Sequence, residues 1–287
     1  MFSLHQIHFV ILVTVSVYFG FVLGSFICQV AYRLPILIIK KNCGGIAPEW
    51  MTASERLVSG IDSPGCLCPN CGEPILKRDL IPVLSWLMLR GKSRCCKTKI
   101  SPRYLITEFS SGVLCGITTY ATGSTWLSVL WCFFLLMMLC IALIDCHYYL
   151  IPTVLIVPLG GAGILAGSFN LLTTSLATNL FAGVVVYVSL RLLNLFMSKQ
   201  NPALGDGDTN LFTVVAIWLG AHKVMIVLLF ASLALLLFQA CSSKFSSYKN
   251  SSLSMAYRES LPFGIFIFFG VLVSLLFGES IFNALLN

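Results

Sequence analysis

The sequence predicts an all-α polytopic membrane protein of about eight transmembrane helices, with a small cytoplasmic insertion after the first helix. Three observations lead to this class. Of 287 residues, 57% are hydrophobic and 10% are charged, with a mean hydropathy of +0.92. A soluble domain carries about a quarter charged residues, so this chain has too little charge to clothe a core in water. Apolar runs recur along most of its length, near the span needed to cross a hydrocarbon layer of about 30 Å. Finally, the basic residues are concentrated in a single polar stretch.

The first apolar run, 9–35, is read as an anchor and not as a cleaved signal peptide. No Lys or Arg precedes it, and it continues past the length of a signal core into Tyr32, Arg33 and Pro35. Lys40 to Arg103 is the one long polar stretch and holds 11 of the 18 Lys and Arg residues. The positive-inside rule places that stretch in the cytoplasm and the N-terminus outside. Apolar runs at 105–122, 126–144, 150–169, 176–197, 209–221, 224–240 and 261–284 complete the eight. The loops near Lys199 and near Lys244, Lys249 and Arg258 then also fall inside, leaving Lys223 as the one clearly external basic residue. The net charge of +7 is therefore mainly a record of topology. No basic stripe interleaved with aromatics accompanies it, so nucleic acid is not an expected partner; the lipid bilayer is. The Ser-rich stretch 241–254 reads as a flexible cytoplasmic loop.

Twelve cysteines divide into two populations. Cys28, Cys115, Cys132, Cys140, Cys146 and Cys241 lie in or at the ends of apolar runs, where a thiol behaves as a small hydrophobe. In the polar stretch, Cys68 and Cys71 form a C-x-x-C knuckle, and Cys95 and Cys96 return a little over 20 residues later. In a reducing compartment such clustering points to structural zinc, which supplies folding free energy to a loop with little core of its own. The second knuckle reads Ser93-Arg94-Cys95-Cys96, so adjacent thiolates have to share or exchange a position, with Cys43 and Cys66 as substitute ligands. The competing reading is a loop of reduced, unligated thiols.

Carboxylates in or beside spans are expensive and point to function. Glu108, Asp145, Asp206 and Asp208 stand there, Glu108 with Arg103 as an available partner. Between Asp145 and Asp208 the chain crosses the membrane twice, as a hairpin, so the two aspartates return to the same face whichever way the protein is oriented. A facing carboxylate pair can hydrolyse a peptide without metal or covalent nucleophile. One ionised group activates water while its protonated neighbour polarises the scissile carbonyl, and like charges at close range keep one proton between them. Gly205 and Gly207 around Asp206 would let an extended substrate backbone approach. Four alternatives stand beside this one: Asp208 as a helix cap before Thr209, Asp145 as an ordinary span-end polar residue, Gly205-Asp206-Gly207-Asp208 as a tight loop, and a cation site in an ion-coupled transporter.

These residues resemble the type IV prepilin leader peptidase/N-methyltransferase family of GxGD aspartyl proteases, over nearly the whole chain. Gly24-Ser25-Phe26 and Tyr32-Arg33-Leu34-Pro35 are similar to its first signature. The run from Cys68 to Gly72, then Asp79 to Gly91, then Ile100 to Tyr104 resembles its cysteine-bearing segment. Gly205-Asp206-Gly207-Asp208 fills the GxGD pattern, Trp218-Leu219-Gly220 follows, and Leu261-Pro262-Phe263-Gly264 resembles the last signature. The resemblance implies Asp145 and Asp208 as catalytic residues, with Gly205, Asp206, Gly207, Gly24, Phe26 and Arg33 as motif or substrate-binding residues. Cys68, Cys71, Cys95 and Cys96 are the implied metal ligands. It further implies prepilin or pseudopilin substrates, cut after a basic leader at the cytoplasmic face of a bacterial inner membrane. S-Adenosylmethionine is implied as donor for methylation of the new N-terminus; no G-x-G-x-x-G follows a strand here.

The expected division is 1–39 as first helix, 40–104 as Cys-rich, methyltransferase-associated segment, and 105–287 as peptidase domain. The chain departs from the family pattern at Cys28 (for Asn), Ser93 (for a zinc cysteine), His147 and Thr153 (for aspartates) and Asn210 (for Lys).

Overall fold

The structure is a computed structural model describing residues 4–45, 60, 68, 71, 73–123, 126–172, 174–197, 205–243 and 262–286. Lys199, Lys244, Lys249, Arg258, Cys66, Gly72, Leu261 and most of the Ser-rich stretch lie outside the described residues. Eight α-helices are present among those described: α1 Leu4–Asn42, α2 Leu84–Met88, α3 Pro102–Thr122, α4 Trp126–Tyr148, α5 Thr153–Ser168, α6 Leu176–Phe196, α7 Asp206–Ser243 and α8 Phe263–Leu286. No strand accompanies them, only an isolated bridge between Lys92 and Lys99. By length and composition four segments suit a membrane crossing: Gln6–Asn42, Trp126–Tyr148, Leu176–Phe196 and Asp206–Cys241. Thr153–Ser168 and Phe263–Gly278 are shorter apolar helices.

The chain divides into two compact units, Met1–Leu136 and Met137–Asn287. In the first, α3 lies antiparallel to α1. Phe9 meets Tyr120 at one end, with ring centroids 5.8 Å apart, and Ser16 bonds Thr119 at 2.7 Å. Further along, a Cβ on Gly20 would lie 2.8 Å from the Gly112 Cα, and one on Gly24 2.7 Å from the Glu108 Cα. Gly20 and Gly24, four residues apart, thus let the two backbones touch, the close approach by which helices associate in lipid. α3 begins cleanly because Pro102 occupies its first turn and the Ser101 hydroxyl accepts from the Arg103 N–H.

In the second unit, α7 holds the centre. It is 38 residues long but broken at Gly220, with φ 77° and ψ 176°. The two expected spans at 209–221 and 224–240 are the two halves of this element, and the reversal falls at Gly220, ahead of Lys223. Only glycine takes that φ without strain; the Thr174 and Asn179 side chains, bonded to each other at 2.5 Å, also fill the space where a Cβ would project. The halves fold back as a hairpin, as their contacts with α8 show. Phe263 packs on Phe212 of the first half. Advancing along α8, Phe266 meets Phe238, Gly270 meets Val227 and the Ser274 hydroxyl bonds the Lys223 carbonyl at 3.1 Å. α8 therefore runs antiparallel to the second half, and its start lies level with the start of the first. The first half runs alongside α5, where the Trp218 indole donates to the Leu159 carbonyl at 2.9 Å and packs on Gly163.

Candidate active site and metal centre

Asp145 and Asp208 both belong to the second unit, and three contacts bring their ends together. A Cβ on Gly207, beside Asp208, would lie 2.9 Å from the Ile151 Cβ in the turn after α4. Phe212, one turn beyond Asp208, packs on Phe263, ring centroids 5.7 Å apart. Gly264, next to Phe263, donates its backbone N–H to Asp145 Oδ2 at 2.6 Å. Asp145 is 4% exposed, and the two carboxylates interact electrostatically.

Each aspartate is held by a backbone amide. Asp208 is the third residue of α7, and its carboxylate accepts from the N–H of Gly205, the residue before the helix. The Thr209 N–H bonds back to the Gly205 carbonyl at 3.1 Å. This is the reciprocal half of a capping box. Asp208 is therefore not the N-cap that its place before Thr209 suggested: Gly205 occupies the cap position, and Asp208 acts from within the first turn, where this bond orients its carboxylate. Gly205 suits this place because a Cβ there would lie 2.9 Å from Asp208 Oδ2.

The other sequence-derived residues distribute unevenly. Asp206 is 75% exposed and pairs with Arg191 of α6 at 2.6 Å, away from the aspartate pair. Gly24 is buried at the α1–α3 contact, while Phe26 is exposed and Arg33 half-buried on α1. Glu108 accepts from the Val83 N–H at 2.7 Å and from the Ser25 hydroxyl. It makes no ion pair with Arg103; Arg94 pairs with Asp79 and Arg191 with Asp206. Cys28 lies beside Thr107 and Glu108. Gly264, which the sequence marks only as part of the last signature, is a site residue in the structure. The signal for it was Pro262-Phe263-Gly264 itself: a helix-starting Pro, a packing Phe and a residue without a side chain.

Within the polar insertion, Cys68, Cys71, Cys95 and Cys96 bring their sulfurs within 4.8 Å of one another. Cys68 and Cys96 are 3.5 Å apart, Cys71 and Cys95 3.3 Å, and Cys95 and Cys96 3.9 Å. Tetrahedral zinc with Zn–S bonds near 2.3 Å requires sulfurs about 3.8 Å apart, so this donor set fits a metal. Both adjacent thiols reach the cluster because residues 92–99 form a tight hairpin, closed by Ser93 N–H to the Thr98 carbonyl at 2.8 Å, with Lys97 at φ 59°. Ser93, standing where a third cysteine is usual in the resembled pattern, bonds Cys96 Sγ at 3.2 Å, and Thr98 does so at 3.0 Å. These hydroxyls stabilise the Cys96 thiolate and bring its pKa down to about 5. At Cys71 the Glu73 amide favours the thiolate, but burial and bonds to the thiols of Cys95, Cys68 and Cys96 outweigh it and push the pKa up to about 12. An array that has one ready thiolate among crowded thiols is one a cation would organise.

Fold and site together define a polytopic helical membrane protein with a carboxylate pair at one end of a helix bundle and, in an insertion, a four-cysteine cluster able to hold a metal ion. Comparison with known proteins carries this further. Residues 18–122 match the bacterial peptidase A24 N-terminal domain, and residues 132–240 match the type IV leader peptidase family. The prepilin leader peptidase/N-methyltransferase of Klebsiella pneumoniae is 36% identical over 221 residues, covering 74% of this chain and 87% of that protein. Those of Pseudomonas aeruginosa (29% over 276 residues, 93% and 90% coverage) and Neisseria gonorrhoeae (30% over 225 residues, 75% and 76%) are also similar. No solved structure matches the chain significantly. The chain belongs to the type IV leader peptidase family.

Proposed function

We propose that this protein is a prepilin peptidase: an aspartic endopeptidase that removes the short basic leader of type IV prepilins or pseudopilins at the cytoplasmic face of a bacterial inner membrane. The single observation that supports the reading is that Asp145 and Asp208 interact electrostatically within the second unit, each carboxylate accepting from a glycine amide, in a chain of this family. In the mechanism, one aspartate is ionised and the other protonated, since like charges in a partly dry site share one proton. The ionised group takes a proton from water as its oxygen attacks the scissile carbonyl carbon, and the protonated group gives its proton to the carbonyl oxygen. Collapse of the tetrahedral adduct breaks the C–N bond as the leaving nitrogen takes up a proton. Gly264 and Gly205 hold the carboxyl groups against rotation, which keeps the pair aligned through both transfers.

The transporter alternative loses its support at Asp206, which a three-carboxylate cation site would need and which pairs with Arg191 instead. The relatives' name also speaks for peptidase over transporter.

The second part of that name, N-methyltransferase, carries to this chain as methylation of the newly exposed N-terminus. S-Adenosylmethionine would supply the methyl group, and the segment 40–104 would be its carrier. The cysteine centre would hold structural zinc through Cys68, Cys71, Cys95 and Cys96, fixing the insertion's fold.

The test is cleavage of a cognate prepilin by purified protein in detergent. Asp145→Asn and Asp208→Asn keep the shape and remove ionisation, and each is expected to lower cleavage by at least about 100-fold. Near-normal processing by either variant overturns the dyad. Mass analysis of the processed N-terminus reports methylation, and metal content after purification reports zinc.

A further inference from the structure

The insertion carries a surface that neither the aspartate pair nor the cysteine centre uses. After the turn Lys77–Leu80, the chain makes a γ-turn at Val83, with φ 63° and ψ −54°, closed by the Leu84 N–H on the Pro82 carbonyl at 2.6 Å. Positive φ at a β-branched residue is strained, and the turn is retained because Glu108 accepts the Val83 N–H at 2.7 Å. The strain has a geometric result. Trp86 turns inward onto Gly91, where a Cβ would lie 2.8 Å from its ring. Leu84, Leu87 and Met88, on the opposite face at i, i+3 and i+4, are all exposed, Met88 by 81%. Leu76, Leu80 and Ile81, just before this helix in the chain, are exposed as well.

Depth and charge identify what covers it. The apolar run of α3 begins near residue 105, directly after Arg103, so Glu108 lies within the first two turns of that helix, at the end of the span that faces the polar insertion. Glu108 bonds Ser25 and packs against Gly24, so the Val83 turn it clamps lies where hydrocarbon gives way to headgroups. Around the apolar face, Arg78, Arg90, Lys92, Lys97 and Lys99 are exposed. Of the acids nearby, Asp79 is already neutralised by Arg94 at 2.8 Å. Apolar side chains at the boundary, with exposed cations about them, match a bilayer surface containing acidic lipid.

We propose that residues 75–90 form an interfacial anchor: Leu84, Leu87 and Met88 enter the bilayer beside the α1–α3 pair, and the basic rim binds anionic headgroups. The anchor holds the insertion flat against the membrane. The bilayer is the occupant, not a protein partner, because the face is apolar, has exposed basic residues about it and is tied through Glu108 to the ends of the α1–α3 spans.

The experiment uses the full-length protein in lipid nanodiscs, with a benzophenone amino acid placed singly at Met88 or at Lys41. Lys41 is exposed near the end of α1, about 17 residues or 25 Å beyond Gly24, and serves as the water-phase control. Ultraviolet irradiation followed by mass analysis is expected to give several-fold more lipid adduct at Met88 than at Lys41. The adduct at Met88 should rise when phosphatidylglycerol replaces part of the phosphatidylcholine and fall as salt screens the rim. Labelling at Met88 no greater than at Lys41, indifference to phosphatidylglycerol, or adducts to protein in place of lipid overturns the proposal. Unchanged thermal midpoints of both labelled proteins establish that the fold is intact, and the wild-type tryptophans, quenched by brominated phosphatidylglycerol in a Trp86-dependent manner, give a second readout without substitution at the face.

Discussion

Gly264 donates its backbone N–H to Asp145 Oδ2 across 2.6 Å, joining residues 119 positions apart in the chain. A Cβ at position 264 would lie 3.0 Å from that oxygen and 3.2 Å from the Asp145 Cβ, so the carboxyl group would have to give way by a few tenths of an ångström. Gly264→Ala keeps the amide but pushes the carboxyl group out of line. The expected result is a loss of cleavage of about 10- to 100-fold, mostly in kcat, since small misplacements of reacting groups carry penalties of that order. Steady-state kinetics on a leader-bearing peptide checks this, with the thermal midpoint as control.

Asp206 should behave oppositely. Its pair with Arg191 is exposed, and such pairs are worth only about 0–1 kcal/mol. Asp206→Asn is expected to keep kcat/KM within about fivefold of the parent, separating the middle carboxylate of the G-D-G-D run from its neighbour two residues on. A loss as deep as that of Asp208→Asn would place Asp206 in the hydrolytic site instead of on the exposed face.

Glu108 clamps a strained turn, so its removal should loosen the insertion. Glu108→Ala leaves the Val83 N–H and Ser25 hydroxyl without their acceptor, a loss of about 1–3 kcal/mol. Proteolysis between residues 75 and 100 is expected to accelerate by roughly 5- to 100-fold. Glu108→Gln, which retains an acceptor oxygen, should recover much of the protection.

Asp79 gives the insertion a pH dependence of definite sign. Its bonds to the Arg94 guanidinium, at 2.8 Å to both oxygens, hold its carboxyl below the ordinary aspartate range. The folded pKa lies below the unfolded one, so the stabilisation is complete above about pH 4 and is lost as pH falls through the lowered folded value. A wild-type thermal midpoint above that of Asp79→Asn at neutral pH, with the difference closing in acid, is the expected result. A constant difference at all pH values would assign the effect to packing instead.

Much of this arrangement was legible one residue at a time. Membrane residence followed from the shortage of charge, and the common face of Asp145 and Asp208 followed from counting two crossings between them, because an even number of spans returns a chain to its starting side. The C-x-x-C at Cys68 and the pair at Cys95 and Cys96 were legible as a donor set because thiols cluster in sequence only where something gathers them. Other features were not legible. Glu108 and Arg103, five residues apart, looked like partners; the fold gives Glu108 to Val83 and Ser25 because the clamped turn arrives from a distant part of the chain. Asp206 and Asp208 are chemically alike in the sequence. Two residues of helix rotate them by about 200°, which sends one to Arg191 and the other toward Asp145.

The sequence by itself determined the class, the topological equivalence of the two aspartates and the identity of the possible metal donors, because hydrophobicity, parity of crossings and thiol spacing are properties of order along a chain. Tertiary structure decided which groups hold them. The amide of Gly264 on Asp145, the reversal at Gly220 and the placing of Met88 on an exposed face all depend on contacts whose partners are far apart in sequence or on a single backbone angle. Neither leaves a periodic trace for composition to reveal.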